Sequence, residues 1–303
     1  MNVLIVGLGS IANKHISALK NINPDIKIYA LRSSEDANSI EGITNLFSII
    51  EIKVIQFRFA IISNPTYAHH QTIKELIPLN IPLFIEKPLL SKLDNGELVN
   101  LINKNTIITY VACNLRFLDC LQFTKNYITN ERINEVNIYC GSYLPNWRPG
   151  RNYKKTYSAN KDQGGGVHID LIHEIDYAYW LFGKPKKVSK VFSSKSSLKI
   201  NAFDYANYTL SYADFNTSII LNYFRRDPRR TLEIVLEKET ILVDILKNMV
   251  YRDTELIFHS EKTIVDTYET QLRFFIDKII TEKSKLNIID EAYEILEICL
   301  QND

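Results

Sequence analysis

The chain has only four cysteines, Cys113, Cys120, Cys140 and Cys299, and they form neither a CxxC pair nor a metal-ligand spacing. A cysteine-built metal centre is not expected, and the four read as reduced thiols packed as small hydrophobes, as in a reducing cytosol. An excess of one charge is also lacking. Thirty-six basic residues stand against 35 acidic ones, a net charge of +1, so no field is available to hold a nucleic-acid backbone or an anionic membrane. No apolar run approaches the length that spans a bilayer. The opening Met1-Asn2-Val3-Leu4-Ile5-Val6-Gly7 lacks the basic segment and small-residue cleavage site of a secretory signal, so a cytoplasmic location is expected. There is no internal repeat and no low-complexity linker. What remains, 303 residues with 46% hydrophobic and 23% charged, has the balance of a soluble globular protein and the length of two domains.

Strand and helix signals alternate through the first half. Val3 to Val6, Ile26 to Leu31, Phe59 to Ile62, Leu83 to Ile85 and Ile107 to Ala112 are short apolar runs of the buried-strand type. Helical stretches run to Leu19, from Thr66 to Leu79 and from Asn95 to Ile102. Such alternation implies right-handed crossovers and a doubly wound parallel sheet. After about residue 118 the grammar changes. Glu135 to Tyr143, Tyr205 to Tyr212, Thr217 to Phe224 and Leu232 to Leu236 alternate or are β-branched, which predicts a mostly antiparallel sheet with one face on a core. A helix from about Val167 to Phe182, stopped by Gly183-Lys184-Pro185, interrupts it, and helices Thr267 to Thr281 and Asp290 to Leu300 close the chain. The expected fold is therefore α/β, with a Rossmann domain over 1–118 and an α+β domain over 119–303 whose final helices can return to the first.

The first strand ends in Gly7-Leu8-Gly9-Ser10-Ile11-Ala12 and opens a helix. In that context the first glycine permits a tight turn, the second lets the backbone approach a pyrophosphate, and Ala12 lets helix and sheet pack closely. A glycine turn with no ligand is the plainer alternative. NAD sites carry an acid at the end of the second strand to hold the ribose diol. Here that strand ends in Arg32-Ser33-Ser34, with no acid before Glu35. A guanidinium and two hydroxyls suit a 2′-phosphate, so NADP(H) is favoured over NAD(H). A solvated strand-end charge is the alternative for Arg32.

In a doubly wound sheet, ligands bind beyond the carboxyl ends of the strands. Ser63-Asn64-Pro65-Thr66-Tyr67-Ala68-His69 and Glu86-Lys87-Pro88 both fall there. Pro88 biases Lys87 towards an extended backbone. A lysine beside a substrate hydroxyl stabilises a developing alkoxide and can pass on a proton. Alone, it would read as a surface charge. Further on, Gly164-Gly165-Gly166 reads as a flexible lead into the helix that carries Asp170, His173, Tyr177 and Trp180 at positions i, i+3, i+7 and i+10, one face. An acid one turn from a histidine orients it and raises its basicity, which makes His173 a candidate proton acceptor. Trp180 is assigned to the core, and a helix-start carboxylate is the alternative for Asp170.

Together these segments resemble the Gfo/Idh/MocA family of oxidoreductases, named for glucose–fructose oxidoreductase and inositol dehydrogenase. The likeness rests on Gly7-x-Gly9-x-x-Ala12, Asn64-Pro65-Thr66-x-x-His69, Glu86-Lys87-Pro88, Asn114-Leu115-Arg116-Phe117 and the triple-glycine helix ending Trp180-Leu181-Phe182-Gly183. It implies catalytic roles for Lys87, Asp170 and His173. It also implies a cofactor site of Gly7, Gly9, Ser10, Ile11, Ala12, Arg32, Ser33, Ser34, Ser63, Asn64, Pro65, His69, Glu86, Lys87 and Asn114, and a substrate site that adds Arg116, Trp147, Arg148 and Arg230. The family's aspartate-to-histidine spacing is one residue longer than the one here; aligning on the downstream HxxD instead selects His173 and Asp176. Tyr143-Leu144-Pro145-Asn146-Trp147-Arg148-Pro149 and His173-Glu174-Ile175-Asp176-Tyr177 resemble members from bacterial surface-sugar biosynthesis, which implies a sugar or amino-sugar substrate. The resemblance further implies a homodimer or homotetramer through the C-terminal sheet.

Arg225-Arg226-Asp227-Pro228-Arg229-Arg230 is a basic turn between predicted strands. It reads either as a solvated hairpin or as a receptor for a substrate carboxylate or phosphate, and Lys154 and Lys155 admit the same two readings. The leading expectation is hydride exchange between nicotinamide and a secondary alcohol. A cofactor-sensing protein without turnover and an NAD-dependent glycosidase with no net redox are the competing ones.

Overall fold

The computed structural model describes residues 1–34 and 39–300; Glu35 lies outside them. The chain divides into two compact units. The first comprises Met1–Cys113 and Val265–Leu296, and the second comprises Asn114–Ile264 and the residues from Glu297 on.

The first unit is built on six parallel strands, β1 (Asn2–Val6), β2 (Lys27–Leu31), β3 (Ile43–Leu46), β4 (Phe59–Ile62), β5 (Leu83–Glu86) and β6 (Thr109–Ala112), in the order β3-β2-β1-β4-β5-β6. All residues of β4, β5 and β6 are buried, as expected of strands covered on both faces. Helices α1 (Ser10–Ile22), α2 (Ile49–Lys53), α3 (His69–Leu76) and α4 (Glu97–Lys104) make the connections. Helix α1 buries Ala12, His15, Ala18 and Leu19, one stripe at helical spacing. Helix α2 is short but well started: Ser48 and Glu51 form a reciprocal capping box. The order 3-2-1-4-5-6 puts the reversal between β1 and β4, where such sheets bind ligands.

The second unit opens with α5 (Asp119–Tyr127) and contains an eight-stranded sheet. Its strands are β7 (Ile133–Gly141), β8 (Lys187–Ser193), β9 (Tyr205–Ser211), β10 (Asn216–Asn222), β11 (Arg229–Leu236), β12 (Thr240–Asp244), β13 (Met249–Arg252) and β14 (Glu255–His259). The order is β14-β13-β12-β11-β7-β10-β9-β8. Only β7 and β10 pair in parallel; the other neighbours are antiparallel. One face carries Val136, Ile138, Ile219, Leu221, Leu232 and Ile234, all buried. The α/β architecture is thus the expected one.

Several local expectations need correction. The helix expected over Val167 to Phe182 is two helices, α6 (Val167–Asp170) and α7 (His173–Phe182), with Leu171 and Ile172 in a turn between them. Asp170 therefore ends one helix and His173 begins the next. The helix expected over Thr267 to Thr281 is α8 (Thr267–Phe274) followed by a π-type turn, Phe275–Thr281. The wider turn keeps Phe275, Ile279 and Ile280 together in the core. The last helix is α9 (Ile289–Cys299). Strands β3, β8, β12, β13 and β14 were not expected: β3 buries only Leu46 and β8 is a half-exposed edge. Among the described residues no helix is long and apolar enough to cross a membrane.

Candidate active site

In the first unit, the turn after β1 is shaped by two glycines with different tasks. Gly7 has φ +89°, and a Cβ there would lie 2.6 Å from the backbone N and Cα of Asn64. It is required by close packing between the turns after β1 and β4. Gly9 has nothing within 4 Å of its would-be Cβ, and it is the N-cap of α1, with no side-chain capping bond. Open space above a glycine at an uncapped helix N-terminus, with Ser10 exposed, fits an incoming pyrophosphate. Ala12 is fully buried, as the small third position requires.

The strand-end segments after β4 and β5 meet the same turn. Ser63 donates through Oγ to the Gly7 carbonyl at 3.0 Å. Asn64 donates to Thr72 Oγ1 at 2.8 Å, while Pro65 is exposed. His69 is 1% exposed, with Nδ1 3.1 Å from the Leu89 carbonyl oxygen and Nε2 3.0 Å from that of Asn64. Burial holds its pKa below the ordinary histidine value, against the pull of both carbonyls. A neutral ring carries one N–H, so it donates to only one of these two carbonyls while lying between the loops that carry them. Glu86 is likewise buried, and His15 donates to its Oε1 at 2.5 Å. Lys87 is half-buried, and the Lys87–Pro88 peptide is cis. Arg32 sits at the end of β2 and donates to Asn45 Oδ1 at 3.2 Å, with Ser33 and Ser34 exposed beside it.

In the second unit, Asp170 accepts hydrogen bonds from Tyr157 Oη and from Tyr223 Oη, the latter at 2.5 Å. Burial and then the Asp170 charge push both phenols above the ordinary tyrosine value, so they remain protonated donors. The glycines before α6 are less a flexible lead than a seat. A Cβ on Gly165 would lie 1.9 Å from the Tyr157 carbonyl oxygen, so only glycine lets the Tyr157 segment come close enough. Trp147 packs edge-on against Tyr223 at 5.2 Å and donates to Ser142 Oγ. Arg148 is exposed beside it, and His173, half-buried, opens α7.

Two of the three arginines expected to bind substrate, Arg116 and Arg230, pair with buried acids. Arg116, 1% exposed, donates through Nε and Nη2 to the two Asp176 oxygens at 2.9 and 2.6 Å. Arg230 does the same to Glu174, at 2.6 and 3.1 Å. Both acids of the first turn of α7 are fully buried and would be intolerable there without these partners. The two arginines therefore fix α7 and, with it, His173. The other cations of the basic turn lie outside the core: Arg225 over the Tyr139 ring at 5.2 Å and bonded to Asp227, Arg226 over Tyr143 at 4.3 Å. Lys154 and Lys155 are exposed. Asn114, buried, opens the 3-10 turn Asn114–Phe117 directly after β6. Among the described residues no group of three or more His, Cys, Asp or Glu is placed to hold a metal ion.

Three participants were missed: His15, Tyr157 and Tyr223. His15 falls on the buried stripe of α1, where spacing alone reads it as a core position. The tyrosines reach Asp170 from 13 and 53 residues away, and no local pattern carries that.

Residues 1–112 match the oxidoreductase family with an NAD-binding Rossmann fold, and residues 121–242 match the C-terminal domain of GFO/IDH/MocA proteins. The chain belongs to the Gfo/Idh/MocA oxidoreductase family. It is 26% identical over 235 residues to the uncharacterized oxidoreductase YrbE of Bacillus subtilis (strain 168), a match covering 72% of this chain and 65% of that one. Less than two thirds of that relative's length is therefore spanned. Its fold is that of myo-inositol 2-dehydrogenase from Lactobacillus plantarum (TM-score 0.81, 19% identity, covering 99% of this chain and 95% of the other). UDP-N-acetylglucosamine 3-dehydrogenase GnnA from Acidithiobacillus ferrooxidans is similar to the same degree (TM-score 0.80, 15% identity, 99% and 95% covered).

Proposed function

We propose that this protein is a nicotinamide-dependent dehydrogenase or reductase of a secondary alcohol or ketone on a sugar or amino-sugar derivative, with NADP(H) favoured. The observation that carries this reading is the grouping at the carboxyl ends of three adjacent strands. The glycine turn after β1, the Ser63-Asn64 turn after β4 and Lys87 after β5 lie side by side in the order β1-β4-β5, the place where a doubly wound sheet binds its ligand.

The open space at Gly9 and the uncapped N-terminus of α1 fit a dinucleotide. Gly7, Gly9, Ser10, Ile11 and Ala12 would hold its pyrophosphate, and Ser63, Asn64 and Glu86 would line the strand ends. Arg32, Ser33 and Ser34 would receive a 2′-phosphate. When bound, the nicotinamide supplies the two-electron partner of the alcohol or ketone. Lys87 supplies positive charge to the substrate oxygen and stabilises it as an alkoxide. His173, at the start of a helix anchored by Arg116 and Arg230, takes or returns the hydroxyl proton. Asp170 is held in place by two phenols that stay protonated and donate to it. Trp147 and Arg148, on the loop that packs on Tyr223, are the proposed sugar contacts. We assign the half-exposed face of the second sheet, with Asn137, Tyr139, Ser218 and Ile220, to contacts between copies in a homodimer or homotetramer in the cytoplasm.

The test is a nicotinamide-absorbance screen of free sugars, amino sugars and nucleotide sugars with NADP(H) and NAD(H). One class is expected to give stoichiometric conversion of cofactor. Arg32→Ala is expected to weaken NADPH binding about tenfold and leave NADH binding unchanged. A wild-type preference for NADH, or no redox change with any sugar, would overturn the respective part of the reading.

A further inference from the structure

Two histidines in the interior of the first unit end on the stretch of chain that carries Lys87. His15 lies on α1 and is fully buried, its ring edge-on to Phe84 at 5.1 Å and to Tyr268 at 5.6 Å. Its Nε2–H donates to Glu86 Oε1 at 2.5 Å, and Glu86 Oε2 accepts the Lys87 backbone N–H at 3.3 Å. His15 Nδ1 has no hydrogen-bond partner among the described residues. An apolar ring would fill the same space. What histidine adds is a donor aimed at the residue before Lys87.

His69 makes the matching contact on the far side. Its ring lies between the carbonyl of Leu89, two residues beyond Lys87, and the carbonyl of Asn64, and donates to one of them. Both devices start from the dinucleotide turn. Gly9 is the N-cap of helix α1, and Asn64 is the residue against which Gly7 packs.

We propose that His15 and His69 are positioning residues that bracket Lys87, fixing residues 86 and 89 to the dinucleotide-binding turn so that the lysine side chain leaves the strand end in one orientation. This rests on the reading of Lys87 as the catalytic lysine. Neither histidine contacts substrate. Their effect passes through the backbone on either side of residue 87, where a displacement of about 1 Å is enough to cost about a hundredfold in rate.

The experiment reads Lys87 itself, on the full chain, without a substrate. Lysines are reductively methylated with carbon-13, and the Lys87 resonance is identified by its absence in Lys87→Arg. In the wild type that signal is expected to stand apart from the exposed-lysine envelope and to move when NADPH is added. In His15→Leu it is expected to fall into the envelope and to stop responding, while the NADPH dissociation constant, read by fluorescence, changes by less than about threefold. His15→Gln, which keeps a side-chain donor, is expected to restore the separate signal. Glu86→Gln keeps size and packing, and decides the matter if His15→Leu does not fold; it is expected to shift the Lys87 signal as His15→Leu does. A Lys87 signal unchanged in His15→Leu and Glu86→Gln, or lost equally in His15→Gln, would overturn the proposal. A merely structural role would lower the melting temperature and leave the signal in place. Failure of the catalytic reading shows separately, as wild-type turnover in Lys87→Met.

Discussion

Arg116 and Asp176 meet through two hydrogen bonds across 60 residues of sequence, with both side chains out of solvent. The guanidinium and carboxylate satisfy each other where neither would be stable alone. Asp176→Leu takes the carboxylate away from a buried arginine charge, and is expected to cost about 3–5 kcal/mol in urea unfolding. Arg116→Met combined with Asp176→Leu is expected to recover most of that loss, since it removes both charges together. Simple additivity of the two single losses would contradict the coupling.

The two glycines of the dinucleotide turn separate folding from binding. Gly7→Ala meets the Asn64 backbone at 2.6 Å and a φ of +89°, so a loss of at least about 2 kcal/mol in stability is expected. Gly9→Ala meets nothing within 4 Å, and its φ of −85° suits alanine. Its melting temperature is expected to stay within about 2 °C of wild type while dinucleotide affinity falls at least about tenfold, because the added methyl stands where the backbone yields to phosphate. Calorimetry and a fluorescence titration check both. Equal thermal losses in the two variants would contradict the division.

The first-unit motifs were readable because each is contiguous. Gly7 to Ala12 and Glu86-Lys87-Pro88 are short segments at strand ends, and a buried parallel strand announces itself as an apolar run. The anchors were not readable in this way. Arg116 and Arg230 look like substrate receptors from sequence, since nothing local says that Asp176 and Glu174 lie opposite them. His15 was hidden by its position on an apolar stripe. The one-helix reading of Val167 to Phe182 failed because its apolar residues run on without a proline or glycine at Leu171-Ile172. The break lies instead between two anchored ends, Asp170 held by tyrosines and Glu174 and Asp176 held by arginines. The meander β12 to β14 was missed because its strands are only partly buried and lack the continuous apolar run that marks the equally short β4, β5 and β6.

His168 supplies a prediction in pH. It is 6% exposed, packed against Phe192 at 5.0 Å and Phe203 at 5.4 Å. Burial, then the Lys190 and Lys161 charges, pushes its pKa down to about 4. The unfolded chain takes up that proton near the ordinary histidine value of about 6.5. Between those two values the unfolded state binds more protons, so stability is lost as pH falls through the window. The expected loss from this group between pH 7 and pH 4 is about 3 kcal/mol. His168→Phe keeps the aromatic packing and is expected to remove that part of the slope in urea midpoints measured across the range. An unchanged slope would contradict the assignment.

Lys87→Met, a side chain of similar length without charge, tests the central claim most directly. Turnover is compared with the NADPH dissociation constant, using the sugar class that the wild-type protein oxidises or reduces. Turnover is expected to fall at least about a hundredfold, with NADPH affinity within about threefold of wild type. Wild-type turnover in Lys87→Met would contradict the account.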